Sequence, residues 1–452
     1  MTSAPDPAAG PVVPLHVWAL SGRTPAALRQ RGGRLAAWLD EHDDADLADV
    51  GWTLAAGREH LAHRAVLVGA SKAGLAGGLR ELADGQPAAG LTTGTVAAPG
   101  KTVFVFPGQG SQWPGMARDL LAGSPVFREH VRACSAALEP YTGWSVTGLL
   151  SGAPGAPELA GDDVVQPVLF TVMTGLARLW ESLGVRPAAV LGHSQGEIAA
   201  AHAAGALTLA DAARIVAVRS RAVSRLAGTG AMVSVALPAA GAQRLIDARC
   251  GGGELYVAVV NGPGGCVLSG TPDAVAALVA RCTADGVRTR LVPVSYASHS
   301  PLVEPLREPL AAALAGVTPA SGTVAFCSTV TGEVIDTAGL DAGYWYANLR
   351  SPIQFEPAVR ALAGLGHSVF VEVSPHPSLA VAMRETLAAA GQPAIVTGSL
   401  RRGAEAWPRL LSALAELHAG GVGVSWPAVF EGRPRRLIAL PGYPPRRRGL
   451  KV

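Results

Sequence analysis

A short apolar run, Ala189-Val-Leu191, breaks into Gly192-His193-Ser194-Gln195-Gly196 and then into the alanine-rich Glu197-Ile-Ala-Ala-Ala-His-Ala-Ala-Gly205. An apolar run with no polar interruption is the pattern of a strand buried on both faces. The alanine-rich stretch has the composition of a helix. Strand, G-x-S-x-G turn and helix in succession are the context of a nucleophile elbow, which holds a serine in a strained conformation with its hydroxyl exposed. Gly192 and Gly196 are the residues that let strand and helix approach without Cβ collisions. The N–H of Gln195, at the positive end of the helix, then points to where an oxyanion would form. A fold that accommodates this turn is an α/β fold with a parallel sheet.

The chain has 452 residues, 49% hydrophobic and 16% charged, with a formal net charge of +3. This length supports two or three packed units. So small a charge argues against a nucleic-acid or membrane partner. The five cysteines (Cys134, Cys250, Cys266, Cys282, Cys327) are scattered without C-x-x-C spacing, which reads as free thiols in a reducing cytosol and not as a zinc site. No basic and apolar leader opens the chain, and the most apolar window, 198–218, is interrupted by His202, Asp211 and Arg214. The expectation is a cytoplasmic protein with no membrane span.

Taken in order, residues 1–14 read as a Pro- and Ala-rich leader. Residues 16–98 read as a small α/β unit of two strands and three helices, followed by a connector at 90–100. Thr24 and Pro25 are placed to cap and start its first helix. A buried strand, Thr102–Phe106, runs into Pro107-Gly-Gln-Gly-Ser-Gln-Trp-Pro-Gly115. Trp113 stands where a dinucleotide fingerprint needs glycine, and no Gly-Lys-Ser/Thr follows, so both nucleotide motifs fail. What remains is a loop whose N–H groups could receive an oxyanion. A helix is expected from Pro167 to Leu183. Across 231–295 the order strand, helix, strand, strand, helix, strand is that of a ferredoxin-like insert. The large domain is expected over 101–230 and 296–393, with strands near 324–328 and 369–373. The remainder, 394–452, holds one helix and a basic, proline-punctuated tail that reads as an extended strap with its arginines in water.

Five motifs in this order, Gly108-Gln-Gly-Ser-Gln112, Gly192-His-Ser-Gln-Gly196, Arg219-Ser-Arg221, Tyr296-Ala-Ser-His299 and Ser374-Pro-His-Pro377, resemble the acyltransferase domain of modular type I polyketide synthases, relatives of malonyl-CoA:acyl carrier protein transacylases. The likeness covers nearly the whole chain. It implies an α/β-hydrolase-like large domain with a ferredoxin-like insert, 16–98 as the linker from ketosynthase to acyltransferase, and 394–452 as the linker after the acyltransferase. No ketosynthase is present, which reads as an excised piece or the start of a subunit.

Acyl transfer from a thioester needs a nucleophile, a base and an oxyanion hole. Ser194 is the nucleophile. The base should be an imidazole, which both takes and returns a proton near neutral pH. The residues alone leave His193, His202, His299, His367 and His376 in play. The resemblance selects His299, oriented by a backbone carbonyl in 348–354, that of Gln354, with no acidic third member. It also implies the N–H groups of Gln109 and Gln195 as the oxyanion hole. Arg219, and not its neighbour Arg221, stands at the family's carboxylate-binding position, which implies a dicarboxylic acyl group. Tyr296 and Ser298 resemble the methylmalonyl-type signature where malonyl-type relatives have His-Ala-Phe-His. Gln195 and Asp163-Val-Val-Gln166 resemble that class too. Malonyl and ethylmalonyl stay open as alternatives. Asn261, in an Asn-Gly-Pro turn, is a further candidate facing the cleft.

The implied reaction loads (2S)-methylmalonyl from its CoA thioester onto Ser194 and then onto the phosphopantetheine of an acyl carrier protein. No bound cofactor or metal is expected, and the ketosynthase of the same synthase is an expected partner. An editing thioester hydrolase and a non-catalytic docking module are the rival classes.

Overall fold

The computed structural model describes residues 15–97, 99–248, 254–432 and 435–442. The leader, Cys250 and the end of the basic tail lie outside the described residues. Two compact units divide the chain. One holds the described residues up to Pro99, Trp180–Val185 and those from Ala404; the other holds Gly100–Leu179 and Arg186–Gly403.

In the first unit, β1 (His16–Gly22), β2 (His63–Gly69) and β3 (Leu91–Thr95) form an antiparallel sheet in that order. The strand β3 lies in the stretch expected as a connector. Its sequence Leu-Thr-Thr-Gly-Thr is polar and only partly covered, as an edge strand can be, so no apolar run betrays it. The helix Pro25–Glu41 starts as expected, with the Thr24 hydroxyl accepting from the Ala27 N–H at 3.1 Å. Leu28, Leu35 and Leu39 pack with Trp18, Leu20, Leu75 and Leu79. The described part of the tail, 435–442, runs without regular structure along the helix Leu47–Ala56, the Arg436 N–H donating to Asp49 at 2.7 Å and the Ile438 N–H to Thr53 at 3.0 Å.

The second unit carries two sheets. In chain order its strands are β4 (Lys101–Phe106), β5 (Ala189–Gly192), β6 (Ala231–Val235), β7 (Leu255–Gly262), β8 (Gly265–Gly270), β9 (Thr289–Leu291), β10 (Ala325–Ser328), β11 (Glu333–Ile335), β12 (His367–Glu372) and β13 (Ile395–Gly398). The large sheet has the order β11-β10-β5-β4-β12-β13, parallel except for β11. The antiparallel sheet β7-β8-β6-β9 is the ferredoxin-like insert. Because β13 pairs with β12, the large domain runs past the expected boundary at 393, its compact unit ending at Gly403.

The helix expected from Pro167 begins at Asp162. Asp162 and Asp163 occupy its first turn, where negative charge offsets the helix dipole, and Pro167 sits inside it near that end. Gln166 is therefore a helical residue. The strands β4 and β5 are neighbours, Phe106 opposite Gly192, so the loop after β4 and the elbow after β5 leave the sheet side by side.

Candidate active site

The chain turns sharply after β5, and Ser194 has the left-handed φ of 54° that an elbow requires of its nucleophile. The two flanking glycines are dictated by space. A Cβ on Gly192 would lie 2.2 Å from the Glu197 Cα, and one on Gly196 would lie 2.1 Å from the Phe106 carbonyl oxygen. The helix Gly196–Ala203 follows at once.

His299 reaches this serine from the segment after β9, its Nε2 2.9 Å from the Ser194 Oγ. The segment is irregular, and His299 has a φ of 59°, a second strained residue at the same point. The backbone N–H of His299 donates to the Leu349 carbonyl at 2.9 Å, and its Nδ1 lies 3.0 Å from the Ser351 carbonyl. A carbonyl only accepts, so Nδ1 carries the proton and Nε2 presents its lone pair to the serine. The orienting carbonyl is thus that of Ser351, which corrects the expectation of Gln354. The Gln354 carbonyl accepts from Ala358, and its N–H donates to Thr329 at 2.7 Å. The next residue but one after Ser351, Ile353, exchanges backbone bonds with Ala258 and Val260 of β7, both 2.8 Å, so the small sheet holds the segment in place.

Arg219 completes the convergence. Its Nη2 donates to the Ser194 Oγ at 3.1 Å and its Nη1 to the Gln166 Oε1 at 2.9 Å. The residue is 2% exposed, its Nε has no partner, and it makes no ion pair with any described carboxylate. Arg221, two positions along the same helix, turns outward to the Tyr141 carbonyl. A buried guanidinium with unused donors can receive an anion in charge-assisted bonds.

The N–H groups of Gln109 and Gln195 have no acceptor among the described residues, whereas that of Gly110 is spent on the Gln112 side chain at 2.8 Å. Trp113 ties the first of these loops to the Ser374–Pro377 turn through a 3.0 Å bond to the Pro375 carbonyl. The Gln195 side chain is 1% exposed with neither amide atom partnered. Tyr296 donates to the Gln109 Oε1 at 3.4 Å, and Ser298 to the Met232 sulfur at 3.1 Å. Asn261, in β7, engages the Nε2 of His193 at 3.1 Å and does not touch Ser194. His202 bonds the Leu207 carbonyl at 3.0 Å, and His376 accepts from the Arg402 N–H at 3.2 Å.

Burial pushes His193 down to about 4 and His299 down to about 3, the latter aided by the Arg219 guanidinium and by His193. Both are neutral at pH 7. In the unfolded chain they titrate near 6.5, so between that pH and about 4 the unfolded state binds protons that the folded state refuses. Each histidine therefore removes stability as pH falls, by up to about 1.4 kcal/mol per unit. Glu197 and Glu372, both raised by burial, act in the opposite sense. The readout is consequently a difference: urea midpoints from pH 7 to 4.5 should fall less steeply in His193→Gln than in the parent, and parallel curves would disprove this account.

Sequence reasoning missed Glu197. Its carboxylate is fully buried and accepts from four donors: the Thr329 N–H, the Thr329 hydroxyl at 2.7 Å, the Tyr344 hydroxyl at 2.7 Å and the Asn348 amide at 2.9 Å. The same Asn348 amide donates to the Ser194 carbonyl at 3.2 Å. One carboxylate thus pins the elbow to the helix Ala342–Arg350, whose end supplies the carbonyls that hold His299. Glu197→Gln turns an NH₂ toward two of those donors, which costs about 1–3 kcal/mol for each group left unpaired. Thermal unfolding should report a fall of several degrees, together with a drop of at least tenfold in the rate of Ser194 acylation. An unaltered rate would separate this network from the site.

Among the described residues no group of three or more His, Cys, Asp or Glu side chains could hold a metal, the four described cysteines are buried and form no disulfide, and no helix is long and apolar enough to cross a membrane.

The acyl transferase domain family matches residues 103–424, and the family described as CurL-like, PKS C-terminal, matches residues 16–79. The chain is 50% identical over 445 residues, 98% of its length, to the spectinabilin polyketide synthase system protein NorA' of Streptomyces orinoci, and 48% identical over 438 residues, 96% of its length, to the mycoketide-CoA synthase of Mycobacterium tuberculosis. It spans only 12% and 10% of those two proteins. The acyltransferase domain from module 8 of the salinomycin polyketide synthase superposes with a TM-score of 0.88 at 47% identity, covering 92% of this chain and 98% of that one. With a serine elbow, a facing imidazole and these relatives, the chain belongs to the acyl transferase family as an acyltransferase domain of the modular polyketide synthase type.

Proposed function

We propose that this domain transfers a dicarboxylic extender unit, (2S)-methylmalonyl, from CoA to the phosphopantetheine thiol of an acyl carrier protein, working beside the ketosynthase of the same synthase in the cytoplasm. The observation that carries the reading is the buried Arg219, without a carboxylate of its own and 3.1 Å from the Ser194 hydroxyl. A monoacyl group offers that cation nothing, whereas a free carboxylate can take its unused donors in charge-assisted bonds.

In the first half-reaction the Ser194 Oγ attacks the thioester carbonyl while the His299 Nε2 takes the hydroxyl proton. The oxyanion is received by the N–H groups of Gln109 and Gln195. The C–S bond breaks, the imidazolium protonates the departing CoA thiolate, and an acyl-serine ester remains. In the second half the carrier's thiol gives its proton to His299 and attacks the ester, and Ser194 leaves with the proton returned. The Ser351 carbonyl holds the ring in one tautomer throughout.

The small side chain of Ser298, beside Met232, supports an α-methyl branch on the acyl group. Intact-protein mass spectrometry after mixing with malonyl-, methylmalonyl- and ethylmalonyl-CoA tests this directly, and the methylmalonyl adduct should form fastest. Tyr296→His combined with Ser298→Phe should shift the ratio of malonyl to methylmalonyl loading upward by about tenfold, since one methyl in a pocket is worth about 1–3 kcal/mol. An unchanged ratio removes the size argument, and faster loading of malonyl by the parent overturns the assignment.

A further inference from the structure

Arg219 is supported by a chain of side chains that ends on a carboxylate. Its Nη1 donates to the Gln166 Oε1 at 2.9 Å, the Gln166 Nε2 donates to the Gln109 Oε1 at 3.1 Å, and the Gln109 Nε2 donates to the Asp162 Oδ1 at 2.7 Å. Tyr296 adds a second donor to the Gln109 Oε1. A primary amide can turn over and exchange its donor and acceptor ends, so two glutamines in series have four arrangements. Only one of them satisfies this chain. Arg219 is donor-only and demands oxygen from Gln166, while the Asp162 Oδ1 accepts and demands nitrogen from Gln109. The bonds then run head to tail from cation to anion, the arrangement in which each polarises the next.

We propose that Asp162 is a positioning residue for the carboxylate-binding site: by fixing the direction of Gln109 and Gln166 it holds Arg219 in register for an acyl carboxylate. It acts as a counter-charge set two side chains away. A direct ion pair would occupy the guanidinium donors that the substrate needs; a relayed one steadies the cation and leaves the Nε and the Ser194-facing edge available. The chain also passes through the side chain of Gln109, whose backbone N–H has no acceptor among the described residues. When Asp162 is removed, only the Arg219 end still sets the direction: the Gln109 NH₂ loses its acceptor, and a Gln109 that turns over sets NH₂ against the NH₂ of Gln166 and loosens the seat of Gln166 on the guanidinium.

This inference rests on Arg219 being the partner of the acyl carboxylate. The test uses the full chain, with single-turnover acylation of Ser194 by methylmalonyl-CoA and, as an internal control, by propionyl-CoA, which has no carboxylate to place. Asp162→Ala should lower kcat/KM for methylmalonyl-CoA by about tenfold to a hundredfold, mostly through KM, and change that for propionyl-CoA by less than about threefold. Asp162→Asn keeps an acceptor but can itself turn over, so it should fall between the two and serves if the alanine variant unfolds. In an Arg219→Ala background, Asp162→Ala should have no further effect on the ratio of the two substrates. Equal losses on both substrates, or none on either, overturn the proposal. If Arg219→Ala alone leaves the preference for methylmalonyl-CoA intact, the assignment of Arg219 fails first; if Arg219→Ala abolishes the preference and Asp162→Ala does not weaken it, the relay alone is wrong.

Discussion

Ser194→Ala should acquire no acyl mass from any acyl-CoA, and transfer to a carrier protein should fall by at least about a thousandfold. The expectation follows from the elbow. Its left-handed φ and the two glycines that admit no Cβ serve one end, which is to present this hydroxyl to the Nε2 of His299. Alanine removes the atom that forms the ester and leaves the backbone free to keep its bonds. Circular dichroism should therefore stay unchanged while activity vanishes. His299→Ala is the informative companion. It keeps the nucleophile, so slow acylation should persist, reduced by about 10²–10⁴-fold, the usual worth of a positioned base. Intact-protein mass spectrometry reads both variants, and a Ser194→Ala protein that still gains the acyl mass would mean another nucleophile.

Arg219→Ala should turn a selective enzyme into an indifferent one. Two charge-assisted bonds to a carboxylate are worth about 1.5–3 kcal/mol each, so kcat/KM for methylmalonyl-CoA should fall by about a hundredfold or more while propionyl-CoA gains in relative terms. Fold stability should change little or rise, because an unpaired buried cation costs desolvation energy that alanine does not. The base should respond as well. Arg219 is one of the groups that hold His299 down at about 3, so its removal moves the imidazole back toward its ordinary value. The acid limb of the pH–rate profile for propionyl-CoA should accordingly shift to higher pH. A substrate carboxylate seated on Arg219 would do the same in the intact enzyme, making His299 a better base when the right acyl group is bound. Unchanged selectivity together with an unmoved acid limb would refute both parts.

Much of the site is legible in the sequence because its signals are local. The elbow is written in consecutive residues: an apolar run sets the strand, glycines stand where a Cβ would strike Glu197 or Phe106, and alanines carry the helix away. The ferredoxin-like insert shows in its alternation of short strands and helices, and its sheet has the matching order. The choice of His299 and Arg219 among many histidines and arginines needs more than local pattern; it comes from likeness to a family, and the fold brings both to Ser194. Elements with weak local signals escape such a reading. The polar edge strand β3 looks like a connector, and β13 falls outside the expected domain, because pairing partners and not composition define them.

Sequence alone determined that this chain builds a nucleophile elbow in a parallel α/β sheet, since that turn follows from the sterics of residues adjacent along the backbone. Only the tertiary structure decided which carbonyl orients His299, that Glu197 pins the elbow to the helix behind it, and that Asp162 reaches Arg219 through two glutamines. The reason is physical. A backbone carbonyl carries no residue signature, and a buried carboxylate takes its meaning from donors that the fold gathers from distant strands and helices.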